Sequence, residues 1–175
     1  MLIVGANLQS LVEQYHIVDN EHAYDVNSLV LRLDRSYVEI RPGPDKEITY
    51  GQQIPDEWIH RAEMYGEGVV IPPQGAILAC SKERVSIPAG YFGLVQTKGS
   101  LARLFVTAQC SDGQVEAGYR GKITLEVCNL APFRVRLLPG QKVAQLFIFK
   151  TSLRSAPLYE GRYQGADAPT IQVPE

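Results

Sequence analysis

One stretch decides the fold that we predict for this chain: KGSLARLFVTAQCSDGQVEAGYRGKITLEV (residues 98–127), followed by PGQKVAQLFIF (139–149). Its apolar runs are short, and Gly, Asp and Ser separate them. Short runs rich in Val, Ile, Leu and Phe between turn residues are typical of β-strands, whereas a helix would repeat its apolar positions every three to four residues. The stretch therefore predicts strands joined by tight turns, with one reversal at Glu116–Gly121.

A single carboxylate lies inside one of these runs, among apolar neighbours. In KITLEV (residues 122–127) strict alternation places Ile123, Leu125 and Val127 on one face of a strand. Glu126 then lies on the opposite face with Lys122 and Thr124. Two interpretations stay open at this point, an ordinary solvent-facing residue or a residue that does chemistry.

The rest of the chain agrees with a β-rich domain. It has 175 residues, with 15 glycines and 11 prolines, and this length can form one core. Many short apolar runs between turns predict a sandwich or a barrel. We expect one helix over Leu8–Tyr15, where apolar residues recur at helical spacing, and either a short second helix or a loop over Pro55–Met64.

Charge and composition exclude several classes of function. The net charge of −2 is against a nucleic-acid polymer as ligand, because such proteins usually carry a basic patch. No apolar run is long enough to cross a membrane, and no secretory signal is visible, so we expect a cytoplasmic protein. The cysteines Cys80, Cys110 and Cys128 lack CxxC spacing, which predicts small buried thiols and neither disulfides nor zinc ligands.

Four blocks in the right order resemble the dCTP deaminase and dUTPase superfamily. KGSLARL is similar to its RSSLARL phosphate-binding segment, and GQVEAGYRGKITLE to its nucleoside-binding hairpin, which ends in the catalytic glutamate of the deaminase branch. PGQKVAQL resembles a block that both branches share, and YEGRYQG (159–165) resembles their tail. The resemblance covers roughly Asn27–Thr170. It implies one domain over residues 1–175, a dUTPase-like distorted β-barrel (β-clip), and a homotrimer whose sites lie between subunits.

The resemblance also implies a reaction, in which water attacks C4 of the cytosine of dCTP and gives dUTP and ammonia. The chain lacks the H-x-E and P-C-x-x-C motifs of zinc deaminases, so the water would be activated without a metal. Glu126 would be general base and then general acid. Arg103 would orient it from a neighbouring subunit. Mg²⁺ would be bound with the nucleoside triphosphate, and zinc is not expected.

The remaining site residues follow from the same motifs. Lys98 and Ser100 would contact phosphate oxygens, Glu116 the sugar hydroxyl, and Tyr119 would stack on the deoxyribose and exclude a 2′-hydroxyl. The full predicted binding set is Lys98, Gly99, Ser100, Asp112, Gln114, Glu116, Tyr119, Gln145, Tyr159, Arg162 and Tyr163.

Several of these positions depart from the family pattern. The departures are Lys98 for arginine, Gly99 for serine, Asp112 for a small residue, Gln114 for an arginine or apolar residue, Glu116 for aspartate, and Ala166 for glutamine. Near the start, Val30 stands where the family has an aspartate, although Asp25 offers another alignment. The cluster of changes keeps two other functions open: a dUTP diphosphatase, acting alone or after deamination, and a non-catalytic nucleotide-binding regulator.

Overall fold

The computed structural model describes residues 1–20, 23–153 and 157–172. Within these ranges two α-helices and ten strands follow one another. They are α1 (Gly5–Tyr15), β1 (Leu29–Ile40), β2 (Ile59–Glu63), β3 (Val69–Ile71), β4 (Ala76–Ser86), β5 (Tyr91–Thr97), α2 (Gly99–Ala102), β6 (Val106–Thr107), β7 (Gln114–Val115), β8 (Arg120–Asn129), β9 (Val135–Leu137) and β10 (Lys142–Lys150), with a 3₁₀ turn at Asp56–Trp58.

Eight strands form one curled antiparallel sheet. Its order is β6-β8-β4-β1-β10-β5-β7, and β2 pairs with the C-terminal part of β1. The remaining strands, β3 and β9, form a separate two-stranded antiparallel sheet. The mainly β prediction is thus confirmed.

The core follows from alternation along the long strands. In β10 the buried Leu146 and Ile148 alternate with partly exposed phenylalanines, and in β8 Leu125 and Val127 are buried. One face of each strand therefore contributes to a common core, and the other is free to carry polar groups. The helix α1 covers this core with Leu8, Leu11 and Val12, which confirms the helix predicted from their spacing.

The prediction for Pro55–Met64 is largely wrong. Only Asp56–Trp58 forms a turn of 3₁₀ helix, and Ile59–Glu63 is strand β2. This strand pairs with Ser36–Ile40 of β1 over five residues. The sequence gives no local sign of this, because the partner strand lies about twenty residues earlier in the chain.

The cysteine prediction is right only in part. All three thiols are free, but only Cys80 is buried, whereas Cys110 is exposed and Cys128 partly so. Cys110 lies in the loop between β6 and β7 and not in a strand, and for this reason it lacks cover. Within the described ranges, no helix is long and apolar enough to span a bilayer.

Candidate active site

The strand β8 presents Glu126 on its outer face, as alternation predicts. Ile123, Leu125 and Val127 are buried, and Glu126 is partly exposed opposite Leu78 of β4. The side chain borders a cavity of about 620 Å³ whose walls are mostly apolar. These walls include Val38, Ile40, Val70, Ile71, Pro72, Ile77 and Leu78. A carboxylate beside such a cavity can meet an uncharged ring and a water molecule together.

The loop that follows β6 holds the Glu126 carboxylate. The backbone N–H of Cys110 donates to Oε2 at 3.2 Å, and the N–H groups of Ser111 and Asp112 also interact with the carboxylate. Burial raises the pKa of Glu126 above its ordinary value, and the nearby charge of Asp112 raises it further. The backbone hydrogen bonds lower the pKa, but by less than burial and Asp112 raise it. Glu126 is therefore fixed in position and holds a proton more readily than a free glutamate, as a group that both takes and returns a proton must.

The predicted phosphate block (residues 98–104) forms the short helix α2 and the turn after it. Lys98 precedes α2, and its N–H donates to the Val143 carbonyl of β10 at 2.9 Å. Gly99 and Ser100 begin α2, and the first N–H groups of a helix have no acceptor within that helix. The side chain of Lys98 reaches Asp25, 3.3 Å away. The block thus offers one ammonium group and the backbone N–H groups that begin α2, the chemistry that phosphate oxygens need.

Arg103 does not meet Glu126 within one chain. It is exposed, and its Nη1 donates to the Gly99 carbonyl at 3.1 Å. Within the described residues no hydrogen bond or ion pair joins Arg103 to Glu126. An encounter across a subunit boundary stays a prediction.

The tail of the chain lies on the predicted hairpin. The N–H of Tyr159 donates to the Ala117 carbonyl at 2.7 Å, and the Gly165 N–H donates to the Arg120 carbonyl at 2.7 Å. Gly118 makes the approach possible, because its φ is +92° and a Cβ there would lie 2.7 Å from Cβ of Leu158. The two motifs that the sequence analysis quoted separately, hairpin and tail, are therefore one surface.

Tyr119 is packed inside this surface. It is only 8% exposed, its ring lies 5.8 Å from that of Tyr159, and its hydroxyl donates to the Lys122 carbonyl at 2.5 Å. Burial raises the pKa of Tyr119 to about 12. An aromatic residue packing on a neighbour accounts for these contacts. Stacking of Tyr119 on a deoxyribose stays a prediction.

The other predicted hairpin and tail residues face outward. Gln114 and Glu116 are exposed, and Asp112 uses Oδ1 to accept the Gln114 N–H at 3.1 Å. Arg162 and Tyr163 are exposed, and the N–H of Tyr163 donates to the Tyr159 hydroxyl at 3.2 Å. The roles of these exposed side chains stay predictions.

Sequence reasoning missed Gln164, which fastens the tail to the hairpin. Its Oε1 accepts the Arg120 N–H at 2.7 Å, and its Nε2 donates to the Gly118 carbonyl at 2.9 Å. The residue belongs to the quoted YQG motif, so the signal was available. Its partners, however, lie 44 and 46 residues away in sequence and could be found only from the fold.

Also missed were the polar groups beside Glu126 on the outer face. The Lys122 ammonium donates to Asp34 Oδ2 at 2.5 Å, and the Thr124 and Thr170 hydroxyls are 2.8 Å apart. Burial alone would raise the pKa of Asp34, but hydrogen bonding and the charge of Lys122 hold that pKa below its ordinary value. The sequence showed the alternation that placed Lys122 and Thr124 here, but not their partners.

Val30 and Asp25 are the two residues that could correspond to the family aspartate near the N-terminus, and they lie in different surroundings. Val30 is buried in β1 opposite Gln145, whereas the Asp25 carboxylate lies beside Lys98 and Gln145. In the described part of the chain, no group of three or more His, Cys, Asp or Glu side chains could hold a metal ion.

A known protein family matches the part of the chain that holds most of these features. Residues 3–151 match the family described as dCTP deaminase-like, which covers α1 and all ten strands. The chain belongs to this family. The matched range includes Glu126, Arg103 and the phosphate block, and it ends before the tail.

Two relatives in the family are named "dCTP deaminase, dUMP-forming". The protein from Streptomyces griseus subsp. griseus is 37% identical over 150 residues, which cover 82% of this chain and 78% of the relative. The protein from Acidothermus cellulolyticus is 34% identical over 109 residues, which cover 59% of this chain and 57% of the relative. The chain thus spans little more than half of the Acidothermus protein.

A solved structure confirms the fold. The 2′-deoxycytidine 5′-triphosphate deaminase from Agrobacterium tumefaciens superimposes with a TM-score of 0.62 at 18% identity. The match covers 84% of this chain and 47% of that protein. At this level of identity the likeness concerns the fold alone, and the predicted dUTPase-like β architecture is borne out.

Proposed function

We propose that this protein is a hydrolase that deaminates dCTP, with Glu126 as its proton-transfer group. The observation that carries the proposal is a half-buried carboxylate, held by the Cys110 N–H, at the edge of a largely apolar cavity. Membership of the dCTP deaminase-like family and the names of the relatives support the substrate.

The chemistry requires one group that moves a proton twice. Ionised Glu126 takes a proton from water as the oxygen attacks C4 of cytosine, and protonated Glu126 then gives it up so that C4 loses ammonia. The balance is dCTP and water to dUTP and ammonia. The raised pKa of Glu126 suits both halves, because the group must be deprotonated first and protonated afterwards.

The relatives' names favour a second hydrolysis after this one. The sequence analysis expected dUTP as the product and kept further cleavage as an alternative, whereas both relatives quoted above are named as dUMP-forming. We therefore propose that dUTP is hydrolysed at the same site to dUMP and pyrophosphate. Glu116, exposed on the hairpin, is the residue proposed to position the second water at the α-phosphorus.

Magnesium is proposed to arrive with the triphosphate. Mg²⁺ commonly keeps several waters and binds through phosphates and one or two carboxylates, and not inside a cage of protein ligands. Among the described residues no group of three or more potential ligands could hold the ion by itself, so phosphate oxygens would supply part of its shell. The ion would screen phosphate charge during the second hydrolysis.

Assembly as a homotrimer completes the proposal. The apolar residues around the phosphate block contribute unequally to such an interface, because Val95, Leu101 and Val106 are buried in the chain's own core. What supports an interface is the exposed remainder. Phe105 is 66% exposed and Leu130 is 60% exposed, and the Leu130 N–H donates to the Phe105 carbonyl at 2.9 Å, so the two are neighbours. An exposed Arg103 beside such a surface could reach the Glu126 of another subunit.

One incubation tests the proposal. Purified protein is given dCTP or dUTP with Mg²⁺, and ammonia, dUTP, dUMP and pyrophosphate are resolved over time. Ammonia with dUMP and pyrophosphate from dCTP is the expected result. Accumulating dUTP would leave deamination alone, dUMP from dUTP without ammonia from dCTP would mean a diphosphatase, and none of these products would mean a non-catalytic regulator.

A further inference from the structure

The carboxylate of Asp25 joins two side chains of the predicted binding set, Lys98 and Gln145. Its Oδ2 accepts hydrogen bonds from Lys98 Nζ at 3.3 Å and from Gln145 Nε2 at 3.1 Å. Asp25 lies before β1, Lys98 precedes α2, and Gln145 belongs to β10. One oxygen atom thus joins three separate segments of the chain.

The turn around Asp25 fixes this carboxylate. Its Oδ1 accepts the Val26 N–H at 2.9 Å, and its own N–H donates to the Ser28 carbonyl at 2.9 Å. The Val26 N–H, together with Lys98, lowers the pKa of Asp25, so the group is ionised at neutral pH. Asp25 is therefore a fixed negative charge and not a mobile surface residue.

These contacts decide which groups remain for a ligand. Gln145 Nε2 donates to Asp25 and also to the Ser28 hydroxyl at 3.0 Å, which uses both hydrogens of the amide. The ammonium of Lys98 has three hydrogens and gives one to Asp25, so two remain for phosphate oxygens.

We propose that Asp25 is a positioning residue, which holds the Lys98 ammonium in place before a triphosphate arrives and is itself held by the Gln145 amide. The proposal rests on the proposed function, because it takes the ligand to be a nucleoside triphosphate. Holding the flexible Lys98 side chain in advance removes a cost of ordering it on binding, and the loss of Asp25 should weaken affinity roughly tenfold. The negative charge of Asp25 acts in the opposite direction, by repelling phosphate.

Two substitutions separate position from charge. Asp25→Ala removes both, whereas Asp25→Asn removes the charge and keeps one oxygen, which can accept from Lys98 and Gln145 if it gives up the Val26 N–H. Glu67→Ala is the matched control, because it removes an equal charge from an exposed residue of the turn before β3. Binding of dCTP and of inorganic tripolyphosphate is measured by calorimetry, in EDTA and in Mg²⁺, and kcat and KM are measured for ammonia release.

With Asp25→Ala we expect about tenfold weaker binding of both ligands, with and without Mg²⁺, a similar rise in KM and an unchanged kcat. Asp25→Asn and Glu67→Ala should bind within about twofold of the wild type. Equal or tighter binding by Asp25→Ala would overturn the proposal, because Asp25 would then only compete for Lys98. A loss confined to Mg²⁺ would also overturn it, in favour of a metal ligand. If the wild type binds tripolyphosphate and Asp25→Ala weakens it, yet dCTP yields no ammonia, the proposed function fails and the role of Asp25 stands.

Discussion

Replacing Glu126 by glutamine should separate catalysis from folding. Glutamine has nearly the same shape and keeps an oxygen that can accept the Cys110 N–H, but it cannot take a proton from water. A positioned proton-transfer group contributes about 10²–10⁴-fold, which at about 1.36 kcal/mol per decade is about 2.7–5.4 kcal/mol of barrier. We expect ammonia release to fall by that factor while dCTP still binds.

Stability should change little, for a reason visible in the structure. Burial raises the pKa of Glu126, so the folded state favours the neutral carboxyl more than the unfolded chain does. The stability that this contributes is present below the ordinary glutamate pKa of about 4.5 and is lost as pH rises through the raised pKa. At neutral pH the uncharged glutamine does not carry the free-energy cost of burying a charged carboxylate. The Tm of Glu126→Gln should therefore stay within about 4 °C of the wild type.

The assay follows ammonia by a coupled enzyme, dCTP binding by calorimetry and Tm by differential scanning fluorimetry, with Glu67→Gln as the control. The wild-type rate should also show an acidic limb above pH 4.5, where Glu126 becomes ionised. A folded Glu126→Gln protein that releases ammonia at a near-normal rate would refute the assignment. If this variant does not fold, Glu126→Asp provides the check, because a shorter carboxylate that still ionises should lose rate without losing the acidic limb.

Three other predictions concern assembly, the phosphate block and the tail. Light scattering should give a mass of about three chains, and mixing Arg103→Ala with Glu126→Gln chains should restore part of the activity that each lacks; a monomer, or no restoration in a proven mixed trimer, would contradict a shared site. Gly99→Ser should raise the deamination rate if this position has only drifted, although a Cβ there would lie 3.2 Å from Nη1 of Arg103, so an unchanged or lower rate with dCTP would indicate that the glycine makes room for the arginine or for another ligand. Gly118→Ala should cost about 1–2 kcal/mol for its φ of +92° and displace the tail near Tyr159, which limited proteolysis should detect; a tail as protected as in the wild type would contradict this.

The sequence predicted the parts of the structure that repeat locally. Alternation in β8 was enough to assign Glu126 to the outer face, and helical spacing was enough to find α1. Contacts between distant segments could not be predicted in this way. The pairing of β2 with β1 and the bond between Gln164 and Arg120 depend on the path of the whole chain, which no local pattern specifies. The motifs brought Lys98 and Gln145 into one predicted set, but only the fold reveals that Asp25 joins them.

The alternation of β8 constrains how this protein can evolve. Six consecutive residues, from Lys122 to Val127, supply the core on one face and polar groups on the other. Loss or gain of one residue within them would exchange the faces, burying Glu126 and exposing Leu125. Insertions and deletions in this strand should therefore disrupt the fold. Substitutions at its even-numbered positions can change the outer face without disturbing the core. New specificities in this lineage should arise by point mutation in β8 and by changes of length in the loop at Cys110.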